Sequence, residues 1–352
     1  MNSYITALNS LQLPCNRSKE LVAVSLFSGG GGLDLGLSLA GFDFKYSNDE
    51  VQYYCDTISY NFPGCVAETK DVRELKGHKI KELIKTEKIS LIAGGPPCQA
   101  FSILGKRGSF SDFRGQLVFD YIRLINELEP EAFIFENVPG LLTLNNGEDW
   151  EKLYYQFQVE TGYEIYTDIL NAADYGVPQI RKRVFVVGFR QPAGFTFPRP
   201  KYRDPSSLDL LNQHLLCWIP AKLALEEVNG LHNHDIRIHG DRVRSRYEKV
   251  PPGGRDKVDH TDRIDPEKPS GTVLVGSKAG GGRPHIHPYL PRHITVREAA
   301  RLQSFPDWYK LLGTSTAQYR QIGNAVPPLL ALAVGESIRD TLKSLEKKEL
   351  AV

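Results

Sequence analysis

Several things are missing from this chain, and each absence narrows what it can be. Its five cysteines, at 15, 55, 65, 98 and 217, form no Cys-x-x-Cys pair. An odd, scattered set fits reduced thiols better than a disulfide framework. Two His-x-His pairs stand at 232/234 and 285/287, but no cysteine or acidic cluster lies at ligand spacing, so no metal is expected. No stretch approaches the ~18 apolar residues that cross a membrane. The first residues carry neither a basic segment nor the apolar core of a signal peptide, so a cytoplasmic location is expected. A global field is missing too: 43 Lys+Arg face 42 Asp+Glu, a formal net charge of +1. A polyanion partner would have to be met by a local patch. There is no internal repeat and no low-complexity block.

What remains is a globular chain of 352 residues, 41% hydrophobic and 24% charged. That is ample for a hydrophobic core and about two domains. Residues 1–20 read as a short extension. From there short apolar runs alternate with amphipathic stretches. Leu21–Phe27, Phe42–Ser47, Ile89–Ala93, Ala132–Phe135 and Val184–Phe189 read as strands. Stretches near 51–61, 76–86 and 116–128 read as helices. The alternation predicts an α/β fold with a largely parallel, doubly wound sheet. Residues 191–293 then turn rich in Pro, Gly, Arg and His, with loop text such as VPPGGRD (250–256). Helical periodicity returns at 295–303 and 318–346, where Val326, Leu330, Val334, Ile338 and Leu342 form a stripe.

Six motifs carry chemistry. LFSGGGGLDLG (26–36) puts four glycines between a strand and a helix, where backbone can approach a ligand and free N–H groups await it. Its spacing fails the G-x-G-x-x-G fingerprint, and no G-K-[ST] follows, which weakens the dinucleotide and nucleoside-triphosphate readings. Asp49 follows the second strand, where a carboxylate can accept ribose hydroxyls, and Asp71 lies near the end of a third strand region. GGPPCQAFS (94–102) presents Cys98 beyond a strand end, with two prolines fixing the direction of its sulfur. FENV (135–138) places Glu136 at the end of a buried strand, where burial would raise its pKa toward neutrality. In QIRKR (179–183), strand alternation puts Arg181 and Arg183 on one side and Lys182 on the other. QYRQIGNAVPP (318–328) alone reads only as the entry to a helix.

Together and in this order, these motifs and REAARLQSFP (297–306) resemble the cytosine-5 DNA methyltransferases, from Val22 to about Ile338. The resemblance implies a Rossmann-like S-adenosylmethionine-binding body, residues 21–188 and 294–352. A smaller, loop-rich target-recognition domain, 189–293, would be inserted into it. It implies Cys98 as nucleophile toward C6 of a flipped cytosine, Glu136 as the acid at N3, Arg183 at the O2 edge and Arg181 in support. The cofactor would be held by Phe27, Ser28, Gly29, Gly31, Gly32 and Leu33, by Asp49 or Glu50 at the ribose, by Asp71 and Val72 at the adenine, and by Asn324 and Val326. Glu50 stands where the family often has an apolar or aromatic residue that packs on adenine. Phe101–Gln116, with Lys106, Arg107 and Arg114, resembles the family's catalytic loop. Ser102, Arg114 and Thr272 are its expected DNA contacts. The implied partner is double-stranded DNA met by a monomer, which would be nucleoid-associated through it. A cognate restriction endonuclease would need no stable complex with it, and no metal is involved. A tRNA cytosine methyltransferase, a non-catalytic DNA-binding regulator and, more distantly, a small-molecule methyltransferase are the alternatives.

Charge supports the division. Residues 189–293 hold 17 Lys+Arg and 12 Asp+Glu, while the remainder holds 26 and 30. The positive excess lies where a nucleic acid would be touched.

Overall fold

The computed structural model describes residues 3–14, 21–97, 116–207, 212–274 and 284–349. Seven strands make one sheet: β1 (Val22–Leu26), β2 (Asp43–Asp49), β3 (Val66–Thr69), β4 (Leu91–Gly94), β5 (Ala132–Asn137), β6 (Glu164–Asn171) and β7 (Lys182–Phe189). Their order is β3-β2-β1-β4-β5-β7-β6. β1 to β5 are parallel, and β7 runs antiparallel between β5 and β6. The expected doubly wound α/β sheet is thus present. Strand direction reverses its winding between neighbours β1 and β4, which opens a crevice outside their carboxyl ends.

The central strands are buried along their whole length because helices cover both faces. On one face α2 (Gly32–Leu39) and α10 (Pro328–Glu349) pack on Ala23, Ala93, Ile134 and Val187. On the other, α4 (Gly77–Ile84), α5 (Gln116–Leu128) and α6 (Glu148–Thr161) cover Val24, Ile92, Phe135 and Val186. The alternation of these strand residues follows from the period of two. α3 (Gln52–Asn61) connects β2 to β3. Gly335 brings α10 close to α2: a Cβ there would lie 2.8 Å from that of Ala40.

The stripe from Val326 to Leu342 is buried as its spacing predicts. The periodic segment is nevertheless two helices, α9 (Ser315–Asn324) and α10. Pro327 lacks an N–H and forces the residue before it out of the helical region, so the chain breaks there. Ala325 already has ψ 147°.

Residues 3–10, within the segment read as an extension, form helix α1 (Ser3–Ser10). Its Tyr4, Ile5 and Leu8 are buried in a core shared with Ala299, Phe305 and Tyr309. The same core takes Ala221, Ala224, Ile264 and Val273 from the loop-rich region, which is therefore seated on the C-terminal elements. That region holds one two-stranded parallel pair, β8 (Tyr202–Arg203) with β9 (Leu216–Cys217), and helix α7 (Asp241–Glu248). Helix α8 (Val296–Leu302) starts at a capping box made by Thr295 and Glu298. Among the described residues no helix is long and apolar enough to cross a membrane.

Candidate active site

A cleft of about 400 Å³ lies over the carboxyl ends of β1 to β5. A segment from each of the five parallel strands converges on it, and Leu117, Arg183 and residues 323–326 join them. β1 ends in a reversal made by Phe27, a non-glycine residue at φ 56°, a conformation of the strained kind found at ligand sites. The loop after it is fastened to β2: Ser28 N donates to Asn48 O at 3.0 Å, and Gly29 N donates to Asp49 Oδ2 at 2.9 Å. Gly32 packs against Val326, whose carbonyl leaves no room for a Cβ. Phe27, Ser28, Gly29, Gly32 and Leu33 all line the cleft. Gly31 does not. It turns at φ 71° with its α-carbon facing Ile58 and Tyr309, so it shapes the loop from behind.

Asp49 and Glu50, both candidates for one role, sit differently. Asp49 accepts from Gly29 N and from Val51 N, the latter at 3.0 Å, and burial pushes its carboxyl up to about 6. Glu50 is exposed on the cleft rim. Asp71 caps a 3-10 turn through Arg73 N at 3.0 Å, and the Arg73 guanidinium beside it holds its carboxyl below the usual range. Val72 follows it into the cleft wall, and Asn324 and Val326 close the far side.

The catalytic candidates lie where β4, β5 and β7 meet. Antiparallel pairing sets Asn137 opposite Val184, which brings the start of β7 beside the end of β5. Arg183 Nε therefore lies 2.9 Å from Glu136 Oε1. The pair is an ion contact out of line for a hydrogen bond, and Oε1 is buried with no hydrogen-bond partner among the described residues. Burial raises the Glu136 pKa, and Arg183 and Arg181 partly oppose that. Gly95 packs closely against this pair: a Cβ there would lie 2.8 Å from Glu136 Oε2. Arg181 is fully buried behind the cleft rather than in its wall. Its Nη2 donates to Gly323 O at 2.8 Å, while Nε and Nη1 have no partner among the described residues. Burial and the neighbouring Arg183 lower its pKa well below the usual arginine range. Lys182 points to solvent, as alternation predicts.

Cys98, Ser102, Lys106, Arg107 and Arg114 lie outside the described residues. Pro96 and Pro97, which lead to Cys98, line the cleft beside Glu136. Thr272 lies outside the cleft lining, and its hydroxyl donates to Ile180 O at 2.9 Å.

Further residues contribute to the site beyond those assigned roles from the sequence. Asn137 Nδ2 donates to Pro96 O at 3.0 Å and so fixes the segment before Cys98. Asn48 Nδ2 donates to the carbonyls of Glu68 and Lys70, at 3.0 and 2.8 Å, and holds β3 against the cleft. Tyr54, Lys70 and Leu117 complete the lining. Only Asn137 gave a sequence signal, as the amide beside the acid in FENV.

The cations of residues 239–255 are not equivalent. Arg246 is held by Asp256 and Asp259 at 2.7 and 2.6 Å, whereas Arg242, Arg244, Lys249 and Arg255 are exposed. Nearby, Arg263 is spent on the carbonyls of Tyr247, Val250 and Pro288. Arg297, in REAARLQSFP, is likewise structural: it is fully buried and donates to the carbonyls of His232, Pro306 and Tyr309. No group of three His, Cys, Asp or Glu able to hold a metal occurs among the described residues.

Residues 21–340 match the family of C-5 cytosine-specific DNA methylases. The chain is 34% identical over 373 aligned residues to the Type II methyltransferase M.XorII of Xanthomonas oryzae pv. oryzae, covering 93% of this chain and 86% of that one. It is 35% identical to the Type II methyltransferase M1.HphI of Haemophilus parahaemolyticus, covering 91% and 87%. A crystal structure described as a prophage-encoded DNA modification methyltransferase of E. coli superposes with a TM-score of 0.74 at 30% identity, covering 92% of this chain and 99% of that one. The chain belongs to the C-5 cytosine-specific DNA methylase family and is a DNA cytosine-5 methyltransferase.

Proposed function

We propose that this enzyme methylates C5 of a flipped cytosine in one short context of double-stranded DNA, through a covalent bond between Cys98 and C6, as the modification activity of a restriction–modification pair. The observation that carries the reading is the shared cleft: Glu136, Arg183 and the Pro96–Pro97 lead to Cys98 open onto the same space as the glycine-rich loop and Asp49.

The residues of that loop fit S-adenosylmethionine. Glycines allow close approach at 29 and 32, the carboxylate of Asp49 is fixed at the end of β2, and about 400 Å³ is a normal size for a nucleoside site. When bound, S-adenosylmethionine supplies the electrophilic methyl group. Phe27, Ser28, Gly29, Gly32 and Leu33 form its cradle, with Gly31 setting the turn. Asp49 holds the ribose. Asp71 and Val72 meet the adenine, and Asn324 and Val326 close over it.

The rest of the chemistry belongs to the chain. An aromatic carbon resists alkylation until the ring is activated. The Cys98 thiolate adds to C6 while Glu136 holds N3 and gives it a proton, so that electron density reaches C5. Burial raises the Glu136 pKa, which favours the protonated form that a donor needs. Arg183 takes the O2 edge and offsets the charge that develops there, and Arg181 supports it from behind. Once C5 carries the methyl group, loss of the C5 proton to water breaks the bond from sulfur to C6, the N3 proton returns to Glu136, and Cys98 is freed. Exposed cations of the insert meet DNA phosphates, which position without specifying sequence. The enzyme works in the cytoplasm, on DNA, and requires no stable complex with a cognate nuclease.

A duplex carrying 5-fluorocytosine tests this, because fluorine cannot leave as the proton does. Incubation with S-adenosylmethionine should give a protein–DNA adduct that survives denaturant, absent in Cys98→Ala. No adduct from wild-type protein that binds S-adenosylhomocysteine would overturn the reading.

A further inference from the structure

Pro178, Gln179 and Ile180, which lead into the arginine strand, are hydrogen-bonded to the insert. Ser270 N donates to Pro178 O and Ile180 N donates to Ser270 O, each at 2.9 Å, in a parallel bridge that sets Gln179 opposite Ser270. Thr272 Oγ1 donates to Ile180 O at 2.9 Å. Val273 N donates to Gln179 Oε1 at 3.1 Å. Gln179 Nε2 in turn donates to Leu302 O, at 3.3 Å, where α8 ends. Gln179, Ser270 and Val273 are all buried. Arg181 follows two residues after Gln179 and is itself tied at Asn171 and Gly323. Arg183, two further on, meets Glu136. These bonds would carry a movement of residues 270–273 toward the guanidiniums.

We propose that Thr272 and Gln179 are positioning residues that form a latch, through which engagement of DNA by the insert sets Arg181 and Arg183 against the target base. The inference rests on the reading of the cleft given above. It also redefines Thr272. A hydroxyl has one proton to donate, and here it goes to Ile180 O, so a phosphate oxygen cannot accept it while the latch is closed. Recognition and assembly of the active site are then one event, and sequence discrimination falls on the rate of transfer as well as on binding.

The test uses the full chain and a duplex bearing the context found methylated in expressing cells. Thr272→Val removes the hydroxyl at constant shape, and Thr272→Ser keeps it. The single-turnover transfer rate at saturating DNA and cofactor should fall about tenfold or more in Thr272→Val and stay near wild type in Thr272→Ser. The Kd for DNA and for S-adenosylhomocysteine, and the melting temperature, should change little. Gln179→Met should slow transfer similarly, and the double variant should cost no more than the larger single loss. If Thr272→Val keeps its saturated rate, or only weakens DNA binding as a lost phosphate contact would, the latch is refuted. A Gln179→Met chain that fails to fold leaves the Thr272 pair to decide. Wild-type protein that transfers no methyl group overturns the functional reading, and the latch with it.

Discussion

Gly95→Ala separates the geometry of catalysis from the stability of the fold. The added Cβ would lie 2.8 Å from Glu136 Oε2 and 3.3 Å from Glu136 O. Carbon–oxygen contacts become comfortable near ~3.4 Å, so the carboxylate must retreat by about 0.6 Å. It is the free end of a rotatable side chain, and the cost to folding should be no more than about 1 kcal/mol. Catalysis is less forgiving, because Glu136 is set by Arg183 at 2.9 Å and must meet one ring nitrogen. A displacement approaching 1 Å can cost on the order of a hundredfold in rate. Transfer kinetics at saturating DNA should show kcat reduced roughly ten- to a hundredfold. Calorimetric titration should show binding of S-adenosylhomocysteine within about threefold of wild type, because β4 lies between the strand that carries Glu136 and the strand that leads into the glycine-rich loop. Unchanged kcat in folded protein would refute the placement of Glu136 as the acid. So would loss of cofactor binding in step with kcat.

Two further outcomes follow from buried charge. Asp34 is buried under the glycine-rich loop, accepts from Ser25 at 2.7 Å, and is pushed up to about 7 by burial. Its folded pKa exceeds its unfolded one, so its contribution favours low pH and is lost as pH rises from ~4 through ~7, up to about 4 kcal/mol. Asp34→Asn should therefore gain melting temperature relative to wild type at pH 8 compared with pH 5, and an equal difference at both would contradict the assignment. Arg297→Met leaves the buried carbonyls of Pro306 and Tyr309, and the half-buried one of His232, without their donor. Denaturant unfolding should show a loss of about 3 kcal/mol or more, and a loss below ~1 kcal/mol would be inconsistent with that role.

Legibility in the sequence followed burial. β1, β4, β5 and β7 are runs of apolar residues covered on both faces, so their pattern alone located them. β6 did not announce itself: it is an edge strand, EIYTDILN, half exposed, and its pairing with β7 is what makes it a strand. Helix α1 was equally silent. Its Tyr4, Ile5 and Leu8 are buried by partners almost 300 positions away, and Tyr4 donates to Arg301 O. Asp49 and Glu136 were legible because strand ends mark them, whereas Asn324 ends a helix and stood out only through the family resemblance. Asn48 and Tyr54 were not legible, since their part depends on which strand lies next to which. Gly31 shows the converse, a motif residue whose place behind the loop only the packing of Tyr309 reveals.

The central claim is that this cleft methylates cytosine in DNA at a defined context. Bisulfite sequencing of plasmid DNA from cells expressing the chain tests it most directly. Unconverted cytosines recurring in one short context with wild type, and absent with Glu136→Gln, are the predicted result. Uniform conversion, with soluble protein verified in the same cells, would contradict it.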